Sequence, residues 1–529
     1  MKNIIIGGAW PYANGSLHIG HIAALLPGDV LARFYRAKGE RVFYVSGSDC
    51  HGTPITIRAV QEGRSPSEIS ETYHKEFCDV FSKLGFSYDL YAKTSDSAHK
   101  DFVRAFHQKL YESSYVEERT VKQAYCPKCR KVLADRLVVG ICPRCGSPTR
   151  GDQCDSCGEV LDADTVQEPK CADCGTDLQF GETTQLYLKI SELEGELKQY
   201  LSAHPYWRKN ALAFTKRYID EGLHDRAITR DLEWGIDVPK PGYEKKRIYI
   251  WAENVLGYLS CVARICEEKG QQFEDIYGNA AETLSYYVHG KDNIPFHTII
   301  LPALLLAHGG DLKLPDEIIS SEYMTLEGKR ISTSRNWAVW AKDLVGQYDP
   351  DAIRYFFIAN GPEKRDTDFS YREFKEQVNS ELVGAWGNFV NRTLAFAAKY
   401  LDNSLPHVEI DTSLREKTRS IYESVGEKIE RGSLKEALDL VFDFVRFGNK
   451  YYDAEQPWKT RSSNPEKCRE TIACCIYLIA NQAVLLHPFL PFSSDKVIKW
   501  LELDTQWKEQ ESPASVLGEN YSILFNRIE

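Results

Sequence analysis

The chain opens with an apolar run, NIIIGG over residues 3–8, of a length that predicts a buried strand. A turn rich in proline, glycine and asparagine follows, PYANGSLHIGH. From Ile19 to about Ala37 apolar residues recur at helical spacing, with Pro27 expected to kink the helix. RVFYVSGSD then reads as a second strand ending in a polar loop. Strand, loop, helix, strand is the opening of a parallel α/β sheet. Residues 116–182 break the pattern: they are rich in Cys, Gly, Pro and charge, with little helical periodicity, as an inserted module would be. Mixed sequence continues to about 245. Short strand patterns then alternate again with helical ones in RIYIWAENVLGYLS, LSYYVHGKDNIPFHTIILPALLLA and DEIISSEYMTLEG. From about 376 to the end the pattern is helical, as in LKEALDLVFDFVRFGNKYYDAE. Residues 471–492 approach the apolarity of a membrane span. Asn481, Gln482, His487 and two prolines interrupt them, which predicts a buried helix ending near Pro488.

Composition narrows the class. The chain has 529 residues, enough for about three to four domains and a core that needs no disulfides. Apolar residues at 43% and charged residues at 27% fit a soluble globular protein. A net charge of -11 argues against wholesale coating of nucleic acid, while leaving room for a local basic patch. The N-terminus offers only three isoleucines before glycines, too short for a secretory leader, so a cytoplasmic location and no membrane are expected.

Fifteen cysteines change the picture further. Eight fall in four Cys-x-x-Cys pairs: Cys126/Cys129, Cys142/Cys145, Cys154/Cys157 and Cys171/Cys174. Clustering of this kind in a reducing compartment reads as metal binding. Eight thiolates fill two tetrahedral zinc sites of four cysteines each, closed and therefore structural. Spacing alone does not fix which pairs share an ion. The other seven cysteines read as small core residues. The module is also charge-polarised: between Arg119 and Arg150 lie eight basic residues and one acid, Asp135, and between Asp152 and Glu182 nine acids and one lysine. Either the halves fold together and neutralise each other, the favoured reading, or the basic half faces a phosphate backbone.

His18-Ile19-Gly20-His21 lies between the first strand and the helix N-terminus. Glycine lets the backbone approach an anion, the helix N-terminus favours negative charge, and imidazoles can donate to phosphate oxygens. At this point a resemblance becomes specific. AWPYANGSLHIGH and VSGSDCHGTP are similar to the nucleotide-binding half of a class I aminoacyl-tRNA synthetase. GLHDRAITRDLEWGI, HGKDNIPFH and EGKRISTSR resemble its methionyl branch, in the expected order. The resemblance covers essentially the whole chain. It implies an α/β fold: a split Rossmann-type nucleotide-binding domain (1–115 and 246–322) interrupted by a connective domain with two zinc knuckles (116–245). A signature-loop region (323–375) and an all-helical anticodon-binding domain (376–529) follow. It also implies nested knuckles, with Cys142, Cys145, Cys154 and Cys157 on one zinc and Cys126, Cys129, Cys171 and Cys174 on the other.

With no dimerisation domain evident after the helical region, a monomer is expected. The chemistry implied is activation of L-methionine by ATP with Mg²⁺, then transfer to the 3′ end of tRNA(Met). Such a reaction needs stabilised charge on the pentavalent phosphate and on the leaving pyrophosphate. By resemblance His18 and His21 face the phosphates and Gly20 packs against adenine. Asp292 holds the ribose beside Lys291, and Met324 and Ser334 complete the nucleotide set. Arg230 contacts the reacting carboxylate and phosphate, and Asp49 takes the substrate ammonium. The signature loop carries Lys329, Arg330, Ser332 and Thr333, with Thr333 standing where the family has its second lysine. Losing that charge predicts a rate lower by one to two decades, about 1.5–3 kcal/mol, if nothing compensates.

Tyr12, Trp251, Tyr258, Asn293, Phe296 and His297 match positions that wrap a thioether, for which aromatic walls are suited. Trp10 stands where leucine is common, and Asn254-Val255 where Ala-Pro is common. Trp10 is expected to reshape the pocket floor, and Asn254, if buried, to need a polar partner. Asn388 and Arg392, four apart on a predicted helix, and Trp458 match readers of a CAU anticodon, which stack on and hydrogen-bond unpaired bases. The alternative is a relative that activates a different amino acid without tRNA. The altered pocket favours it and the intact helical domain opposes it.

Overall fold

A computed structural model describes all residues except 134, 155, 160, 333–336, 513 and 518–520. At its centre lie five parallel strands: β1 (Asn3–Gly8), β2 (Arg41–Ser48), β3 (Leu90–Lys93), β4 (Thr283–Gly290) and β5 (Glu317–Ser321), in the spatial order β5-β4-β1-β2-β3. Ile4, Ile5 and Ile6 are buried because both faces of the sheet are covered, which is why β1 reads as an unbroken apolar run. Helix α1 (Ile19–Ala37) runs unbroken through Pro27, with most of its surface buried against the sheet and the helical body.

Between the two halves of the sheet, two long antiparallel strands, Val116–Cys126 and Gln179–Leu188, form an arm that carries the cysteine module at its far end. Inside that module Val138–Ile141 pairs with Pro148–Arg150 and with Gln167–Cys171. The basic and acidic halves are therefore hydrogen-bonded to each other. Arg136 pairs with Asp152 and Arg144 with Glu159, the mutual neutralisation expected for folded halves.

After β5 a small three-stranded sheet, Met324–Leu326, Lys329–Arg330 and Thr367–Phe369, starts the signature region. Its hairpin turns on Glu327 (φ 49°) and Gly328 (φ 74°), both left-handed as a tight two-residue turn requires. The rest is helical. A continuous helical run spans residues 371–400 and widens into π-turns over Val378–Gly387 before Asn388–Tyr400. One described helix, Pro465–Leu486, is long and apolar enough to cross a membrane. It packs at the centre of the helical body, with 83% of its most apolar 18-residue stretch buried, and ends just before His487 and Pro488.

A buried ion pair ties these parts together. Asp29 of α1 and Arg354 of the helix Pro350–Ala359 are both fully buried and lie 2.7 Å apart. Arg354 also donates to the carbonyls of Leu84, Pro488 and Phe489. One guanidinium thus joins the sheet domain, the signature region and the last helices. Charge burial on this scale is tolerable because each guanidinium nitrogen has a partner.

Candidate functional site

In open parallel sheets ligands settle outside the carboxyl ends of the strands, where the strand order turns back. Here that point lies between β1 and β4, which are adjacent in space but 280 positions apart in register (Asn3 opposite Thr283). Several of the expected site residues sit just beyond these strand ends. Trp10 and Tyr12 follow β1, Asp49 follows β2, and Lys291 and Asp292 follow β4.

His18 caps α1. Its Nδ1 accepts the Gly20 N–H at 3.1 Å, and the His21 Nδ1 accepts the His18 N–H at 3.1 Å. With both Nδ1 atoms used as acceptors, the neutral rings carry their protons on Nε2 and offer two N–H donors. Burial keeps them neutral: the His18 imidazole is pushed down to about 2, with His21 adding to the effect, and burial pushes His21 down to about 4. The rings stand 4.1 Å apart. A side chain at Gly20 would meet the His18 ring at 2.9 Å, so the backbone approach that glycine permits is required here.

Asp49 is 2% exposed. Its Oδ1 accepts the His51 N–H at 3.2 Å and its Oδ2 accepts the Asn254 amide at 2.7 Å. Burial, then Glu253, pushes its carboxyl well up; the two N–H donors pull the other way. Tyr12, exposed, is bridged to Asp49 through the backbone. On the other wall Tyr258 donates to the His297 Nε2 at 2.8 Å, because the His297 Nδ1–H is given to the Asn293 carbonyl at 2.8 Å. Phe296 and His297 lie in a π-turn, Phe296–Ile300, and the Phe296 ring meets Trp251 edge-on at 5.1 Å. Such turns recur at functional sites because the extra residue re-aims its neighbours.

Trp10 is 6% exposed and does not floor an open space. Its indole is held between the bare backbones of Gly47 and Gly257, 5.8 Å from the His99 ring. The expected reshaping therefore acts from behind, through two glycines. Asn254 has its polar partner in Asp49.

Arg230 and Asp231 do not pair with each other. Arg230 stacks over Tyr249 at 4.4 Å and is held by Asp135 at 3.2 Å, while Asp231 binds Lys246 at 2.7 Å. Asp135 was missed as a site residue, although it is the one acid in the basic stretch, which was the available signal. Asp152 and Asp162 line the same small cleft beside Trp251.

Across the nucleotide side, Tyr323 donates to the Asp292 carboxylate and places its ring under the Lys291 ammonium at 3.8 Å and the Arg330 guanidinium at 5.6 Å. Lys291 also pairs with Glu322 at 2.7 Å. Nothing in the sequence reading pointed to Tyr323. Met324 is buried; Lys329 and Arg330 are exposed, with the Lys329 ammonium 5.2 Å over the Trp337 ring. Ser332 exchanges backbone hydrogen bonds with Trp337. Thr333 and Ser334 lie outside the described residues.

The eight module cysteines gather as Cys126, Cys129, Cys171 and Cys174, and as Cys142, Cys145, Cys154 and Cys157. Sulfur–sulfur distances of 3.5 and 3.9 Å in the first and 3.7 and 3.9 Å in the second match a tetrahedral ion with metal–sulfur bonds of about 2.3 Å, whose sulfurs stand about 3.8 Å apart. In the helical body Arg392 lies over Tyr452 at 4.3 Å and is fixed by Asp453 and the Asn449 carbonyl, both at 2.7 Å. Trp458, 46% exposed, meets the same Tyr452 ring at 5.8 Å, and Asn388 is exposed one turn before Arg392. Tyr452 is the hidden centre of this patch.

Two neutral imidazole donors at the first helix of a switch-point sheet are placed to meet an anion. Comparison with known families carries this further. The family of tRNA synthetases class I (M) matches residues 4–394, and the anticodon binding domain of methionyl tRNA ligase matches residues 407–519. The chain belongs to the M family of class I tRNA synthetases. It is 50% identical to methionine–tRNA ligase 1 of Alkaliphilus oremlandii over 529 residues, covering 100% of this chain and 97% of that protein. It is 50% identical to the methionine–tRNA ligase of Bacillus mycoides, with the same coverage. A solved structure of Mycobacterium tuberculosis methionyl-tRNA synthetase in complex with methionyl-adenylate shares the fold, with a TM-score of 0.81 at 21% identity over all of both chains.

Proposed function

We propose that the chain is a methionine–tRNA ligase: it joins L-methionine to ATP as the adenylate, releases pyrophosphate, and transfers the methionyl group to tRNA(Met). The observation that carries the reading is half-identity to methionine–tRNA ligases over the full chain. The site supplies the chemistry. The ammonium goes to Asp49, and the thioether lies against Tyr12, Trp251, Tyr258, Phe296 and His297, with Asn293 fixing the tautomer of His297. The carboxylate attacks the α-phosphate in line. The Nε2–H groups of His18 and His21 stabilise the negative charge that develops on the phosphate oxygens, an effect worth most in a preorganised, partly dry site. Neutral donors suit this task because they neither titrate near neutrality nor give up a proton. Arg230, anchored by Asp135, faces the reacting carboxylate. Asp292 and Lys291 hold the ribose side, with Gly20 and Met324 against the adenine. Lys329, Arg330 and Ser332 meet the pyrophosphate, and Mg²⁺ accompanies the ATP.

Zinc held by each four-cysteine group supplies structure only, since four thiolates leave no open position. Asn388, Arg392 and Trp458 read the anticodon around Tyr452. On this reading residues 1–115 and 246–322 do the activation. Residues 116–245 carry the knuckles, 323–375 the signature loop, and 376–529 the anticodon contact. A monomer acting in the cytoplasm fits these roles. Activation of another amino acid without tRNA is not favoured, because the helical body matches a methionyl anticodon-binding domain over 407–519.

The test is amino-acid-dependent ATP–pyrophosphate exchange with each of the twenty amino acids, together with direct charging of tRNA carrying a CAU anticodon. Exchange with methionine plus charging is expected. Exchange with a different amino acid, or no charging, overturns the reading.

A further inference from the structure

Two consecutive residues, Glu253 and Asn254, reach across to the loop that follows β2. The Asn254 amide donates to Asp49 Oδ2 at 2.7 Å. Glu253, fully buried, hydrogen-bonds the His51 Nδ1, and the His51 backbone N–H donates in turn to Asp49 Oδ1 at 3.2 Å. His99, 3% exposed, stands with its Nε2 4.0 Å from the same Glu253 oxygen and its Nδ1 2.8 Å from Ser260. The turn 49–51 is thus clamped twice, once through each side chain of the 253–254 pair. An alanine at position 254 could not make the bond to Asp49.

We infer that Asn254 is a positioning residue for substrate recognition: it orients Asp49 and holds it in the charged form that receives the α-ammonium of the amino acid. The inference rests on the role proposed above for Asp49. Each carboxylate oxygen accepts about two hydrogen bonds, so one N–H on each oxygen fixes the plane of the group and leaves lone pairs for the incoming ammonium. The charge also needs this support. Asp49 is buried, and the groups facing it are Glu253 from the 250–256 turn, the Tyr12 phenol, the Cys50 thiol and the His51–Glu253 pair. No lysine or arginine is among these groups. Against that surrounding, burial and Glu253 favour the neutral carboxyl. The two N–H donors, of which only Asn254 is a side chain, favour the carboxylate.

The experiment compares the unmodified enzyme with Asn254→Ala and the isosteric Asn254→Asp. It measures methionine-dependent ATP–pyrophosphate exchange from pH 5.5 to 9, with inhibition by the α-hydroxy analogue of methionine, which lacks the ammonium. For Asn254→Ala the methionine KM is expected to rise by about tenfold, as losing a hydrogen bond to a charged group does, with the ATP KM unchanged. The acid limb of kcat/KM for methionine is expected to move up by about one pH unit, because the carboxylate has lost a donor. Asn254→Asp keeps the shape and replaces the donor with a like charge, so its limb moves further. Inhibition by the hydroxy analogue weakens less than methionine binding does, since its hydroxyl brings no positive charge to Asp49; a merely structural lesion would weaken both ligands alike. Unchanged methionine KM and acid limb in both variants overturn the inference, as does parallel weakening of methionine and hydroxy analogue. Absence of methionine-dependent exchange in the unmodified enzyme is a separate outcome, and it overturns the proposed function itself.

Discussion

The packing of Trp10 against Gly257 allows a test in which one side chain decides the effect of another. Gly257 begins the helix Gly257–Lys269 and has ordinary right-handed dihedrals, φ -57° and ψ -36°. Nothing in its backbone demands glycine. A Cβ there would, however, stand 2.5 Å from the Trp10 Cζ2 and 2.7 Å from Cε2, and the indole supplies all three of its nearest contacts. Gly257→Ala therefore overpacks a rigid ring, at about 1–3 kcal/mol. With Trp10→Leu in place the ring is gone, and alanine is then the better helix former by up to about 1 kcal/mol. The coupling energy is thus expected near 2 kcal/mol. In calorimetry of the four proteins, Gly257→Ala alone should lower the melting midpoint of the catalytic body by about 4–8 °C, at roughly 2–4 °C per kcal/mol for a body of this size. In the Trp10→Leu background the same change should leave the midpoint unchanged or raise it. Equal lowering in both backgrounds would refute the reasoning that Trp10 is what forbids a side chain at position 257.

Three further outcomes follow from the same structure. Metal analysis of the purified protein should give two zinc ions per chain, and Cys126→Ser should give one while leaving the second knuckle filled; one ion, or loss of both, contradicts two independent groups. Arg354→Leu should destabilise by about 2–3 kcal/mol, because it strands three buried carbonyls and leaves the buried Asp29 carboxylate with Arg33 and Ser87 as its remaining partners; a denaturation midpoint like that of the unmodified protein would show that the junction is not held this way. Burial pushes the imidazoles of His99, His107 and His297 down to about 3, 4 and 4, from an ordinary value of 6.5. As pH falls below 6.5 the unfolded chain takes up these protons and the folded chain does not, so stability is lost between pH 6.5 and about 4. The melting midpoint should fall steadily from pH 7 to pH 5, and a midpoint that holds or rises over that range would contradict neutral buried rings.

Much of this molecule was legible along the chain. The run Ile4–Ile6 declared a strand covered on both faces, and the spacing from Ile19 to Ala37 a helix, because periodicity records which sides of an element meet apolar surroundings. The His18–His21 motif and the four Cys-x-x-Cys pairs were visible for a similar reason: their chemistry lies within a few contiguous residues. What the chain could not show were meetings between distant residues. Two imidazoles could be seen, but only the backbone bonds at the helix cap decide that each presents its Nε2–H. Trp10 was expected to reshape the pocket floor, and only the tertiary structure shows its ring packed between the glycines at 47 and 257. Asn254 looked like an amide in want of a partner, and Asp49 lies 205 positions away. Arg230 likewise finds Asp135 of the inserted module, 95 positions away. Local pattern determines the elements and the reactive groups they carry. Only the packing of those elements brings a donor to its carboxylate, and that placement settles the charge and aim of the groups in the site.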